Sequence, residues 1–438
     1  MNKKETTNFT ETPILDVLND YISKNPVRMH VPFHGGMSNN NLFPNEIYKL
    51  DISEVSGYDA GGENNPLFKS EKITADFFGV LHSFYLTGGA SAGLLASLIA
   101  LNKIGKRVIV ARNVHKSVIN GLVLSGLEPV WLDIEFDEKW GIFSKADPES
   151  LIKIIKNYND LAGCVIVSPT YEGIISDVSY ISEVCHTYDI PLIVDEAHGA
   201  HLSLLKDNEL NSAINLGADI VIQSWHKSLG SLTQSGVLHL VSDKYFSYND
   251  LKRSLDLVCS TSPSFLLLLS LELTRKYFAE NSNSFNDLLM LAQSFKKGLM
   301  PIKNISLLKN EDPFKVYVKH YNYSGIDSGI KLFEKYSVEI ESANEIGFLM
   351  QIGQGFTRES AEKVLLAVND MVAEKPPVIS DSKAGTVLVN PNNISMKENP
   401  REAFLRGFRN KDSLKYECDV VAPCPPGYAV NIPGNNKC

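Results

Sequence analysis

The stretch that decides the fold is PLIVDEAHGAH at residues 191–201, read together with VIQSWHKSLGS at 221–231. In each, a short β-branched apolar run stops abruptly on polar residues. The first stops on Asp195 and Glu196, the second on Ser224, His226 and Lys227. Runs without polar alternation read as strands buried on both faces, the pattern of a parallel sheet covered by helices. Ligands on such sheets bind beyond the carboxyl ends of the strands. A lysine at that position is costly unless its amine is used, and a Schiff base with a carbonyl cofactor would use it.

Outward from this pair, strand patterns lie at 107–111, 163–167, 191–195, 219–223 and 236–241. Helical patterns fall between most of them, at 93–104, 177–188 and 208–216. Strands alternating with helices give an α/β fold with a mainly parallel sheet. Two long helical patterns follow around 265–300. A smaller α+β unit comes next, with strands at 314–320 and 345–352 and helices at 325–336 and 359–372. The first 60 or so residues carry one helical pattern (Ile14, Val17, Leu18, Tyr21, Ile22) and then Pro-, Gly- and Asn-rich segments, an arm expected to pack on the rest. Pro376-Pro377 and the polar run to Gly385 read as a linker, and the last 50 or so residues give a weak signal.

The composition supports a folded enzyme-sized chain. It has 438 residues, 44% hydrophobic and 21% charged, which excludes disordered and collagen-like classes. A net charge of −9 argues against a broad nucleic-acid surface and is compatible with a cationic substrate. Six cysteines (164, 185, 259, 418, 424, 438) are too sparse to staple the chain, so free thiols in a reducing, cytoplasmic setting are expected. No apolar stretch is long enough to span a bilayer, so no membrane partner is expected.

Pyridoxal phosphate needs an amine, an acid facing its pyridine nitrogen, a group stacked on the ring and a phosphate cup. Lys227 and Asp195 fill the first two places. Thr87-Gly88-Gly89-Ala90-Ser91 is a run of small residues opening a helix, suited to an anion. His115, just after a strand, is the candidate stacking group, and Ala197 is small enough to let a ring lie flat. The string DEAH does not signal a helicase, because no G-x-x-x-x-G-K-[ST] loop lies upstream. His198, His201 and Cys185 lack metal-ligand spacing, so no metal is expected.

The order TGGASAG (87–93), RNVHKS (112–117), SPTYEG (168–173), VDEAHGAH (194–201) and QSWHK (223–227) resembles the Orn/Lys/Arg decarboxylases of the aspartate-aminotransferase, or type I, fold. TPILDVL near the start, LSGLEPVWL at 124–132, TSPSFLLL at 261–268, PREAF at 400–404 and the PPGYAV…PG run near the end match as well. The resemblance implies a decarboxylase of a basic amino acid (lysine, arginine or ornithine) that yields CO2 and a diamine or agmatine. It implies pyridoxal 5'-phosphate on Lys227, with Asp195 at the ring nitrogen and His115 on the ring. Ser91, Ser224 and His226 would meet the phosphate beside Gly89 and Ala90, with Ala197 under the ring. Thr261 and Ser262 would reach it from a partner subunit, in a homodimer or larger homo-oligomer with a shared site. His226 is a mark of decarboxylases of this fold, and with Lys227 it is a candidate proton donor.

On this reading the chain divides into an arm (1–65), a cofactor-binding large domain (66–300), a small α+β domain (301–375) and a C-terminal segment (376–438). It is a short form without the family's N-terminal wing domain and with a shortened tail. Three motifs depart from the family pattern: Pro32-Phe33-His34-Gly35 for Pro-Gly-His-Lys, Thr87-Gly88-Gly89 for Thr-Asn-Gly, and Pro433-Gly434-Asn435 for Pro-Gly-Glu. An aminotransferase, an acyl-transferring synthase and a cofactor-binding paralogue without turnover stand as alternatives.

Overall fold

The computed structural model describes residues 7–37, 43–53, 65–205, 210–373, 396–409, 420–422, 427–429 and 431–435. The linker reading at 376–385 and Cys418, Cys424 and Cys438 lie outside the described residues. Helices α1 (Pro13–Ser23), α2 (Asn45–Leu50) and α3 (Pro66–Phe78) precede the first strand, β1 (His82–Leu86). Then follow α4 (Gly89–Leu101), β2 (Arg107–Ala111), α5 (Lys116–Ser125), β3 (Glu128–Leu132), a hairpin of β4 (Ile134–Asp137) and β5 (Ile142–Ala146), and α6 (Pro148–Asn157). The core of the sheet is completed by β6 (Leu161–Val167), α7 (Val178–Thr187), β7 (Leu192–Asp195), β8 (Ile220–Gln223), α8 (Trp225–Ser228) and β9 (Gly236–Leu240).

The seven main strands lie in the order β1-β9-β8-β7-β6-β2-β3, with β9 antiparallel to both neighbours and the other pairs parallel. This is the mainly parallel α/β sheet expected from sequence. Val108, Ile109, Val110 and Ala111 of β2 and Ile220, Val221 and Ile222 of β8 are all 0% exposed, which explains their unbroken apolar runs. The helical pattern at 208–216 is a correction: 206–209 lie outside the described residues, and the rest holds one 3-10 turn, Ala213–Asn215. Its apolar residues are used instead to cap the sheet, with Ala213 and Ile214 buried.

Helices α9 (Tyr248–Val258), α10 (Phe265–Glu280) and α11 (Ser284–Leu299) lead to the second sheet. There β10 (Ile305–Leu307), β11 (Lys315–His320), β12 (Ser342–Ala343) and β13 (Phe348–Gln351) pair antiparallel in the order β10-β11-β13-β12. They pack with α12 (Gly325–Tyr336) and α13 (Arg358–Ala373) in a core containing Val316, Val318, Leu332, Phe348, Val364 and Val368. A last helix, α14 (Pro400–Arg409), packs on α5.

The N-terminal arm is tied to α10 by two buried charges. Glu272 accepts from Ile14 N (3.1 Å) and Leu15 N (2.9 Å), placing a carboxylate at the N-terminus of α1. Arg275 donates to the carbonyls of Phe9 and Glu11. Among the described residues, no helix is long and apolar enough to cross a membrane.

Candidate active site

The carboxyl ends of β7 and β8 are adjacent, because Asp195 and Ile222 are in register. A buried cross-tie locks them together. Glu196 accepts from Ser212 Oγ (2.6 Å), Ala213 N (2.7 Å) and Gln223 Nε2 (2.7 Å). Gln223 Oε1 in turn accepts from Trp225 Nε1 (3.0 Å). The acid of the DEAH string is therefore a brace beneath the site. Burial pushes its carboxyl up to about 7 despite these donors. Above it, the single turn of α8 carries Lys227 into a cavity of about 350 Å³.

That cavity brings together most of the residues singled out in the sequence: Gly89, Ala90, Ser91, His115, Asp195, Ala197, Ser224, His226 and Lys227. Asp195 is 3% exposed and, among the described residues, accepts one hydrogen bond, from Ala197 N at 3.1 Å. Burial pushes its carboxyl up to about 6, against the opposing pull of Lys227. On one side, α4 begins at Gly89, whose φ of +70° is the left-handed region that glycine adopts without strain. Its N-cap, Gly88, offers no side chain to the first N–H groups, leaving the positive end of the helix turned to the cavity.

His115 is the N-cap of α5. Its Nδ1 accepts from Ser117 N (3.2 Å) and lies 2.7 Å from Ser117 Oγ, so the neutral ring carries its proton on Nε2. Burial first, then Lys227 and Lys116, push its pKa down to about 4. His226 donates from Nδ1 to the Ser235 carbonyl at 2.7 Å, which leaves Nε2 as the acceptor of a neutral ring; burial lowers its pKa. Asn113 also lines the cavity, and its buried Oδ1 has no hydrogen-bond partner among the described residues, which fits a polar ligand lying against it.

Thr261 and Ser262 do not share this cavity within the chain. They are exposed, and they line a separate hollow with Thr87, Tyr85 and Glu71. Sequence reasoning missed other members of the site. His198 was weighed only as a metal ligand, yet its Nε2 lies 3.0 Å from Lys227 Nζ. Tyr171 and Tyr428 form the far wall. Tyr428 accepts from Tyr171 N (3.3 Å), lies 3.5 Å from Glu172 Oε2 and meets Phe143 edge-on. Gly427 backs the His115 ring: a Cβ there would sit 2.6 Å from His115 Cδ2. The signal available for these was the Tyr171-Glu172 pair inside SPTYEG and the tyrosine inside PPGYAV.

The pattern described as Orn/Lys/Arg decarboxylase, major domain, matches residues 12–379. The chain belongs to the Orn/Lys/Arg decarboxylase family. Membership makes it a decarboxylase, of the class that acts on basic amino acids. The arginine decarboxylase of Bacillus cereus is 28% identical, over 97% of each chain. That of Bacillus subtilis is 29% identical, over 97% of this chain and 91% of its own. Among solved structures, the constitutive lysine decarboxylase of E. coli superimposes with a TM-score of 0.77 at 16% identity, covering 97% of this chain and 76% of that one. The fold is thus the type I fold of pyridoxal-phosphate-dependent enzymes, as the family resemblance implied.

Proposed function

We propose that this chain decarboxylates arginine to agmatine and CO2, using pyridoxal 5'-phosphate bound at Lys227. The observation that carries the reading is the meeting in one cavity of the Lys227 amine, the buried Asp195 carboxyl and the bare N-terminus of α4. When bound, the cofactor supplies a ring that accepts the electron pair left at Cα as the carboxylate departs. Asp195 is buried and nearly without donors of its own, so it suits a protonated ring nitrogen. The N–H groups at Gly89 to Ser91, with the Ser91 and Ser224 hydroxyls, suit a phosphate. His115 would serve as the stacking group for the ring, and Ala197 is small enough to leave it room. Lys227, and the Nε2 of His226 once it has taken up a proton, would be placed to return a proton to Cα.

Arginine is chosen because the relatives matched over nearly their whole length carry that name. Thr261 and Ser262 are exposed, as residues that complete a partner's phosphate site in a homodimer would be before association. The test is to load the purified protein with cofactor and measure CO2 and amine products from arginine, lysine and ornithine. The expected result is agmatine, with a visible absorbance band that Lys227→Ala abolishes. CO2 from lysine or ornithine but not arginine overturns the substrate. A keto acid without CO2 overturns the decarboxylation, and a band that survives Lys227→Ala overturns the cofactor assignment.

A further inference from the structure

Tyr171 lines the cofactor cavity, yet much of what holds it comes from the second sheet. It sits in the turn after β6, which is closed by Gly173 N on the Thr170 carbonyl (3.0 Å) and Ile174 N on Thr170 Oγ1 (3.1 Å). Four residues of that turn bond to segments leading into the second sheet. The Tyr171 hydroxyl donates to Oε1 of Glu341 (2.6 Å), the residue before β12. The stretch before β11 holds the other three. Asn310 Nδ2 donates to the Glu172 carbonyl (2.6 Å), Asp312 N to the Gly173 carbonyl (3.0 Å), and Glu311 Oε2 accepts from Ile175 N (3.2 Å).

The packing is close as well. Gly173 has a φ of +89°, and a Cβ there would lie 2.8 Å from Asp312 Cβ and 2.9 Å from Lys315 Cβ. On the cavity side, Tyr171 N donates to the Tyr428 hydroxyl (3.3 Å), and the Tyr171 ring meets His198 edge-on with centroids 4.9 Å apart. One tyrosine therefore joins the cavity wall to the second sheet.

Of the four ties, only the one to Glu341 acts on the ring itself; the others act on the backbone. A hydroxyl donating to a carboxylate makes a charge-assisted hydrogen bond, stronger than a neutral one. Burial first, then Glu341, push the pKa of Tyr171 up, so the hydroxyl stays a donor. Glu341 is exposed and does not itself line the cavity. On the proposed reading, Lys227, Asp195, His115 and the start of α4 hold the cofactor, while Tyr171 stands on the far wall. The room bounded by that wall is what remains for the amino acid.

We propose that Glu341 is a positioning residue for the substrate: it fixes the Tyr171 ring through the hydroxyl, so that the second sheet sets the wall against which the amino acid lies. The inference rests on the reading of this cavity as the decarboxylase site and adds a residue from outside it. Glu341 acts here as a hydrogen-bond acceptor for Tyr171, and its charge does not meet the substrate.

The test compares Glu341→Ala, Glu341→Gln, Tyr171→Phe and the double variant Tyr171→Phe/Glu341→Ala in the full chain. Folding should survive, since Glu341 is exposed and phenylalanine keeps the buried ring. Hydrogen exchange of the cofactor-free protein is read by mass spectrometry on the peptide covering the turn. It should speed up about tenfold in Glu341→Ala and in Tyr171→Phe. With cofactor bound, KM for the amino acid that the wild type decarboxylates should also rise about tenfold in both, the loss of one charge-assisted hydrogen bond. The double variant should be no worse than either single one, because each removes the same bond. Glu341→Gln keeps an acceptor and should recover most of both losses. Cofactor Kd from an absorbance titration should stay within about twofold of wild type throughout. Additive losses in the double variant, or wild-type exchange and KM in Glu341→Ala, overturn the proposal. So does a KM that rises as much in Glu341→Gln as in Glu341→Ala, which would place the charge of Glu341 on the substrate. Release of CO2 by the wild type reports the decarboxylase reading and the comparison among variants reports this one, so the two failures are distinct.

Discussion

Asp195 should be a residue that the empty fold tolerates at a cost, and Asp195→Asn should reveal that cost. Burial pushes its carboxyl from 3.8 up to about 6 in the folded chain. At about 1.4 kcal/mol per tenfold change in proton affinity, ionising it costs the fold about 3 kcal/mol at neutral pH. The folded pKa of this acid is raised, so the protonated form is the one the fold favours. Its contribution is most favourable below 3.8 and is lost as pH rises through about 6. Asparagine keeps the shape and the acceptor for Ala197 N while carrying no charge. At roughly 2.1 cal/mol/K per residue, 438 residues unfold with about 0.9 kcal/mol/K, so about 3 kcal/mol corresponds to about 3 °C in Tm. Differential scanning fluorimetry of the cofactor-free protein should show Asp195→Asn melting higher than wild type by about that much near pH 8, with about half the gap remaining near pH 5. Cofactor affinity should fall in the same variant, since the charge that burdens the empty fold is the one a protonated ring nitrogen would use. A variant that melts at or below wild type near pH 8, or a gap that does not narrow toward acid, would refute the reasoning.

Gly427→Ala places a Cβ 2.6 Å from His115 Cδ2 at a φ of +82°. The ring must move, so cofactor Kd from an absorbance titration should rise about tenfold or more, for a loss of only about 1–2 kcal/mol in stability; an unchanged Kd would show that Gly427 does not hold the ring. Gln223→Leu removes a donor from Glu196 and an acceptor from both Trp225 Nε1 and His239 Nε2 (3.2 Å), all of them buried. Leaving those groups short of partners should cost about 3 kcal/mol or more in denaturant unfolding, and a loss below about 1 kcal/mol would mean that the cross-tie between β7 and β8 is dispensable.

The sheet was legible because its strands are buried on both faces. The run at 107–111 coincides with β2, and those at 191–195 and 219–223 end on the same residues as β7 and β8, since the change from apolar to polar marks where a strand leaves the core. Helix α12 was equally plain, with Ser324 capping its start through Asp327 N and apolar residues repeating at helical spacing. The pattern at 208–216 misled because a few apolar residues needed to cover a sheet end imitate one turn of an amphipathic helix. Periodicity also says nothing about β1, which enters the sheet beside β9, its most distant strand in sequence.

The same distinction governs the site. Lys227, Asp195, His115 and the α4 loop were readable because each follows a strand at the same end of one sheet, so local pattern and topology together bring them to one place. Lys315 and Gly427 were not, because their importance lies in contacts with residues more than a hundred positions away. In sequence, Lys315 is only a lysine at the start of a strand; in the fold its amine lies 3.2 Å from His198 Nδ1 and over the Tyr171 ring. The C-terminal segment gave the weakest pattern because, beyond α14, its described residues form no long element of their own. It is held by others: Arg112 donates twice to the Ala429 carbonyl at 3.2 Å, and Lys116 N donates to the Gly427 carbonyl at 3.0 Å. Both donors belong to the strand-to-helix turn that carries His115. The ring wall of the cavity is therefore built jointly by β2–α5, whose strand is plain in the sequence, and by a segment some 300 residues later, whose place is set by these contacts.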